Sequence, residues 1–185
     1  MRKVICLIGE PGTGKTTLFR KFMEDEVWEA QEPVRLVNTM YSAELDMHII
    51  GKYEEGEVFA GTDKLSMCCQ NSVCEFITTN NSNIMFEGDR LTNMKFFDFL
   101  LKQPDSEVKI IVIEADKSIL HQRYEIRGSN QSDSFLKGRK TKISNIRGNF
   151  EYIDYIKVFR NESEHDQKNI LNYINTFLFD KTPDI

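Results

Sequence analysis

The apolar run Val4-Ile5-Cys6-Leu7-Ile8 passes directly into Gly9-Glu10-Pro11-Gly12-Thr13-Gly14-Lys15-Thr16, which has the spacing GxxxxGK[ST]. This pattern fixes a strand, a tight glycine-rich turn and a helix in that order, because the glycines let backbone N–H groups turn inward around a polyphosphate. Lys15 then reaches the β- and γ-phosphates, and the Thr16 hydroxyl is a ligand for Mg²⁺. The helix is expected over Thr16 to Glu26, with Leu18, Phe19, Phe22 and Met23 on one face and its N-terminal dipole aimed at the phosphates. Gly9, Glu10, Pro11, Gly12, Thr13, Gly14, Lys15, Thr16 and Thr17 are therefore the expected nucleotide-binding residues, with ATP and Mg²⁺ as cofactors.

Beyond the loop, strand-like and helix-like apolar periods alternate. Val34 to Val37 reads as a strand after Pro33, and Met47 to Gly51 reads as a second short run that either pairs with it or forms an excursion. A helix follows from about Leu65 to Thr79, then a strand Asn83–Glu87, a helix from about Thr92 to Lys102, and the strand Val108–Ile113. Lys117 to Arg127 reads as helix, Tyr155 to Phe159 as the last strand, and Glu164 to Phe179 as the closing helix. Strands separated by helices predict an α/β fold, a mostly parallel five-stranded sheet with helices on both faces. At 185 residues, without repeats or low-complexity linkers, residues 1–185 are expected to form one domain, with an insertion at about 40–80 and a lid at about 121–147.

The net charge of −5 does not mark the whole chain as a nucleic-acid binder, but the charge is unevenly spread. Glu24, Asp25, Glu26, Glu29 and Glu32 crowd the early part, whereas Arg123, Arg127, Lys137, Arg139, Lys140, Lys142 and Arg147 gather later. The apolar start is used as a strand and is too short for a secretory signal, and no run approaches the ~20 apolar residues of a membrane span. A cytoplasmic location is the expectation. Cys6, Cys68, Cys69 and Cys74 show no ligand spacing, and they read as small core residues rather than as zinc ligands or disulfides.

Several other groups of residues carry chemistry. Glu87-Gly88-Asp89-Arg90 ends the Asn83–Glu87 strand, at the edge of an α/β sheet where ligands bind. Glu87 suits the magnesium shell and Arg90 a phosphate or the acceptor. Arg123 and Arg127 lie four apart on one helix face, and Gly128 with Ser129-Asn130-Gln131-Ser132 suits a mobile loop, as for arginines carried to a γ-phosphate by a closing lid. Phe59, Thr62 and Asp63 belong to the stretch Gly56–Ser66, which suits an acceptor-binding loop; equally, Thr62 or Asp63 caps the helix beginning near Leu65. A hydroxyl acceptor needs a carboxylate to take its proton, and Asp63 and Asp89 are the candidates. Asp63 is favoured, because its loop can approach the acceptor opposite the phosphates, with Asp89 as an ion-paired orienting group. No NKxD guanine-reading element occurs, which counts against a nucleotide-dependent switch.

The loop, the strand-end acidic-Gly-x-Arg element and the Arg127-Gly128 segment together resemble the nucleoside monophosphate kinase group. More narrowly, Gly51-Lys52-Tyr53, Phe59–Ser66, Phe86–Leu91 and Arg127–Ser132 resemble the phage P-loop kinases that phosphorylate hydroxymethyluracil in DNA, over roughly Val4 to Ile146. That resemblance implies transfer of the γ-phosphate of ATP to the hydroxymethyl oxygen of a modified pyrimidine in DNA, a step in thymidine hypermodification. It makes modified DNA the acceptor partner, with an extruded base held by flat side chains such as Tyr53 and Phe59. The alternative is a deoxynucleoside monophosphate kinase acting on free nucleotides, which requires an arginine paired with the acceptor's own phosphate.

Overall fold

The computed structural model describes residues 1–57, 59–128 and 131–179. Its centre is β1 (Arg2–Gly9), whose residues Val4–Ile8 are all buried. The other strands are β2 (Glu29–Val34), β3 (Val37–Ser42), β4 (Met47–Ile50), β5 (Asn83–Glu87), β6 (Ser106–Glu114) and β7 (Ile156–Arg160). They form a seven-stranded sheet in the order β2-β3-β4-β5-β1-β6-β7. β4, β5, β1, β6 and β7 pair in parallel, so the sheet is mostly parallel as expected, but it has seven strands rather than five. The additional strands are the antiparallel hairpin β2–β3, attached through β3 to β4.

The α-helices among the described residues are α1 (Lys15–Met23), α2 (Gln70–Thr79), α3 (Met94–Leu101), α4 (Lys117–Ile126) and α5 (Asp133–Arg147), which lie between strands, and α6 (Glu164–Phe179), which follows β7. Alternation along the strands divides the core between the two faces of the sheet. Val4, Cys6, Ile8, Ile84, Phe86, Ile110 and Val112 pack with Val73 and Phe76 of α2, Phe96 and Phe97 of α3, and Ile143 and Ile146 of α5. Ile5, Leu7, Met85, Ile111 and Ile113 pack instead with Leu18 and Phe19 of α1 and Ile170, Ile174 and Leu178 of α6. Both faces are covered, as a parallel sheet requires. Truncating Leu7 or Ile111 to alanine would cost about 2–5 kcal/mol, because neighbours on rigid strands close the cavity only partly.

The structure corrects some expected boundaries. Val34 and Val37 are not successive residues of one strand but the facing ends of the β2–β3 hairpin, with Leu36 at φ 71 in the turn and its N–H bonded to Glu32 Oε1 at 2.9 Å. Pro33 lies in the irregular stretch between Gln31 and Val34, where it need not donate to the ladder. Helix α2 begins at Gln70, so Leu65 to Cys69 are not helical; Cys68 is exposed there while Cys69 is buried. Helix α1 stops at Met23. The segment beyond Gly128 also contains an unexpected element: Ser132 caps α5, its hydroxyl accepting from the Phe135 N–H. Ser129 and Asn130 of the expected mobile loop, and Val58, lie outside the described residues. Among the described residues no helix is long and apolar enough to cross a membrane.

Candidate active site

The order of strands places β1 between β5 and β6, so the chain crosses from one side of β1 to the other and leaves a crevice at the carboxyl ends. Residues Gly9 to Gly14 fill that point. Gly14, at φ 87, adopts a conformation that side chains disfavour, and a Cβ there would lie 2.4 Å from Asn161 Nδ2. The loop is braced from outside by distant residues. Asn161 Nδ2 donates to Thr13 O at 2.8 Å, Arg123 donates to Gly12 O at 3.0 Å and to Asn161 O at 2.9 Å, and Tyr124 Oη donates to Pro11 O at 2.8 Å. Thr13 Oγ1 closes the loop internally on Glu10 O at 2.8 Å.

Lys15 folds back over the loop, its Nζ donating to Gly9 O at 2.9 Å and Glu10 O at 3.0 Å. Burial lowers its pKa, opposed by the charges of Glu87, Asp63 and Asp89 and reinforced by Arg127. Thr16 Oγ1 donates to Glu87 Oε1 at 2.8 Å. Glu87 is 2% exposed, and this burial raises its pKa to about 7 despite the nearby Lys15 ammonium and the Thr16 hydrogen bond. Thr17 is exposed on α1.

The end of β5 is clamped to a 3-10 turn over Thr62–Lys64. Buried Thr62 donates to Glu87 O at 2.9 Å, and Asp63 Oδ1 accepts from the Asp89 N–H at 2.7 Å. A Cβ on Gly88 would lie 2.5 Å from Thr62 Oγ1, and its φ of 110 also favours glycine. With α2 starting only at Gln70, neither Thr62 nor Asp63 caps it. Asp89 pairs with Arg139 and with Lys142 at 2.9 Å, both on α5, rather than with its neighbour Arg90. Arg90 Nε points instead to Leu65 O at 3.2 Å.

These groups border a cleft of about 370 Å³. It is lined by Lys15, Thr16, Glu87, Asp63, Asp89 and Arg127, and also by Phe59, Phe135, Arg139 and Ile143. Arg123, Arg90, Tyr53 and Thr62 do not border it: Arg123 lies behind the loop, and the Tyr53 ring stacks on Phe19 at 5.9 Å and 3°. Tyr53 Oη is buried without a hydrogen-bond partner. Sequence reasoning missed Tyr124, Phe135, Ile143 and Asn161. Phe135, Arg139 and Ile143 recur every four residues, a signal that was legible once Ser132 was taken as a helix cap. Among the described residues no group of three or more His, Cys, Asp or Glu side chains could hold a metal by itself.

Solved structures share this fold at low identity. A gluconokinase from Sinorhizobium meliloti 1021 superposes with a TM-score of 0.53 at 10% identity, covering 94% of this chain and 95% of its own. A sugar kinase from Janibacter sp. HTCC2649 gives 0.52 at 12%, covering 96% and 94%, and a fungal RNA kinase gives 0.53 at 12%, covering 98% and 90%. No curated protein matches the sequence. The family model P-loop Nucleotide Kinase3 matches residues 1–174. With the phosphate loop, the strand-end carboxylate and the cleft in place, the chain belongs to the P-loop nucleotide kinase3 family and is a nucleotide-binding phosphotransferase.

Proposed function

We propose that this kinase transfers the γ-phosphate of ATP to an alcohol, the hydroxymethyl oxygen of hydroxymethyluracil in DNA. The observation that carries the alcohol acceptor is the position of Asp63: its carboxylate borders the same cleft as Lys15, with Oδ1 fixed by the Asp89 N–H at 2.7 Å. A carboxylate so fixed can accept the acceptor's proton as the new P–O bond forms. A phosphate-bearing acceptor would call for an arginine charge not already neutralised by a carboxylate, yet Arg139 is paired with Asp89, Arg90 lies outside the cleft with its Nε on Leu65 O, and Arg127 is taken here by the γ-phosphate. The deoxynucleoside monophosphate kinase reading is therefore the weaker one. The resemblance of Phe59–Ser66 and Phe86–Leu91 to the phage kinases supports hydroxymethyluracil in DNA as the acceptor, and a phage-encoded enzyme would act in the host cytoplasm.

In this reading the whole chain works as one kinase unit, with residues 40–80 on the acceptor side and 121–147 as the lid. The backbone from Gly9 to Thr17 cradles the phosphates and Lys15 answers the charge growing on the transferred group. Magnesium would be held by Thr16 and Glu87 together with the phosphates and water, which fits the direct Thr16–Glu87 hydrogen bond and the scarcity of protein ligands. When bound it would neutralise part of the charge on the transferred phosphate. Arg127 reaches the γ-phosphate; Arg123 acts through the loop that it braces. Thr62 sets the position of Asp63, while Tyr53 and Arg90 support the acceptor wall from behind.

Labelled ATP offered with hydroxymethyluracil-containing DNA, with unmodified DNA and with free deoxynucleoside monophosphates tests the assignment. Transfer to the modified DNA alone is expected, with affinity falling steeply with salt and the fall flattened by replacing Lys137, Arg139 and Lys140 together. Equal transfer to a free monophosphate without a salt slope would return the enzyme to the nucleotide kinases.

A further inference from the structure

Two large aromatic side chains that line the cleft remain exposed. Phe59 is 63% exposed and Phe135 is 38% exposed, and they come from opposite parts of the chain, one just before the Thr62–Lys64 turn and one from the first turn of α5. A single exposed aromatic is ordinary, but a pair bordering one cavity that also holds charged groups marks a place where an apolar surface is completed by a ligand. Four residues along α5 from Phe135 lies Arg139, whose guanidinium sits 4.5 Å over the Phe135 ring. One of its amino groups is engaged by Asp89, while its Nε is buried with no hydrogen-bond partner. A buried donor without a partner is unfavourable, and a small rotation of the guanidinium onto a ligand oxygen would relieve it.

From this juxtaposition we infer that Phe135 and Arg139, with Phe59 on the same cleft, form a slot for a planar heteroaromatic ring that carries the acceptor hydroxyl, the ring lying against the aromatic side chains and a ring carbonyl taking the donor of Arg139. The inference rests on the reading of the protein as a kinase of hydroxymethyluracil and adds to it the side chains that hold the ring and select it over a sugar or polyol. Flat rings with carbonyl edges match stacked aromatics and a guanidinium; a hydroxyl-rich open chain would leave both phenyl faces wet and gain one hydrogen bond. Asp89 has a defined part in the slot, since its pairs with Arg139 and Lys142 hold α5 against the end of β5 and so fix the ring's distance from Asp63. Tyr53, the other flat side chain that the sequence suggests for the base, is occupied by Phe19 and leaves this role to Phe135.

Isothermal titration of the intact protein with free hydroxymethyldeoxyuridine and with gluconate, alongside initial-rate kinetics on these and on hydroxymethyluracil-containing DNA, tests the slot. Saturable binding of the pyrimidine and none of gluconate is expected. Phe135→Leu should weaken pyrimidine binding at least tenfold and raise KM for the ring-bearing acceptor by a similar factor, with ATP affinity unchanged, and Phe135→Tyr should restore both. Arg139→Gln should weaken the pyrimidine more than a ring analogue lacking the carbonyl. Transfer to the free nucleoside but not to DNA would keep the slot and overturn the DNA reading. Gluconate binding as tight as that of the pyrimidine, no saturable pyrimidine binding, or a Phe135→Leu variant with unchanged KM would overturn the slot itself.

Discussion

Thr16 Oγ1 and Glu87 Oε1 are 2.8 Å apart, so the hydroxyl at the start of α1 and the carboxylate at the end of β5 meet directly. Glu87 is raised from an ordinary value of 4.5 to about 7 by burial. Between those values the folded chain keeps a proton that the unfolded chain releases, so stability falls as pH rises through this window and is unaffected below it. The metal-free protein should therefore lose stability from pH 4.5 to 7 more steeply than Glu87→Gln does, the difference approaching about 3 kcal/mol. Urea midpoints across that range, taken in the presence of a chelator, measure it; parallel slopes would mean that Glu87 titrates as an exposed carboxyl.

Lys15→Ala should fold normally and lose about a hundredfold or more in turnover, roughly 3 kcal/mol of transition-state stabilisation. Its ammonium donates to Gly9 O, Glu10 O and, at 3.4 Å, Thr13 Oγ1, all within the loop itself. A variant that melts like the parent and retains more than half its rate would remove Lys15 from the mechanism.

The two arginines of the 123–127 pair separate. Arg127 borders the cleft, so Arg127→Ala should depress turnover well beyond its effect on ATP affinity. Arg123 holds Gly12 O and Asn161 O, so Arg123→Ala should weaken ATP binding and lower stability by about 1.5–3 kcal/mol, the range for hydrogen bonds from a charged group. Calorimetric ATP titrations paired with thermal melts of the two variants distinguish these outcomes, and identical profiles would contradict the division.

Asp63→Asn retains an oxygen to accept the Asp89 N–H but cannot take a proton. Turnover should fall by about 10²–10⁴-fold with ATP affinity unchanged. Asp89→Asn, by contrast, loosens the pairs to Arg139 and Lys142 and should raise the acceptor's KM with a smaller change in kcat. The reverse pattern in steady-state kinetics would exchange the two roles.

What the sequence made legible was whatever rests on short-range periodicity. The octapeptide from Gly9 to Thr16, the buried strands around it and the helix Glu164–Phe179 follow from local pattern, and the structure reproduces their bounds closely. The hairpin at Val34–Val37 does not, because the same alternation serves a strand and the two sides of a turn, and only the positive φ of Leu36 separates them. Helix α5 escaped because its surface is polar: Ile143 and Ile146 are its only buried residues among those described, and its basic side chains read as a solvated run. Partners were the least legible. Asp89 sits beside Arg90 in sequence yet pairs with Arg139 and Lys142, and nothing local to Asn161 announces its bond to Thr13.

That last bond spans 148 positions. In a chain growing from its N-terminus the phosphate-binding octapeptide therefore precedes the amide that steadies Thr13 O, and the strand β7 that delivers it, by well over a hundred residues. The shape of the phosphate loop is thus a long-range property: its sequence is local, but one of its fixed carbonyls is held by a residue that only the pairing of β7 with β6 brings into place.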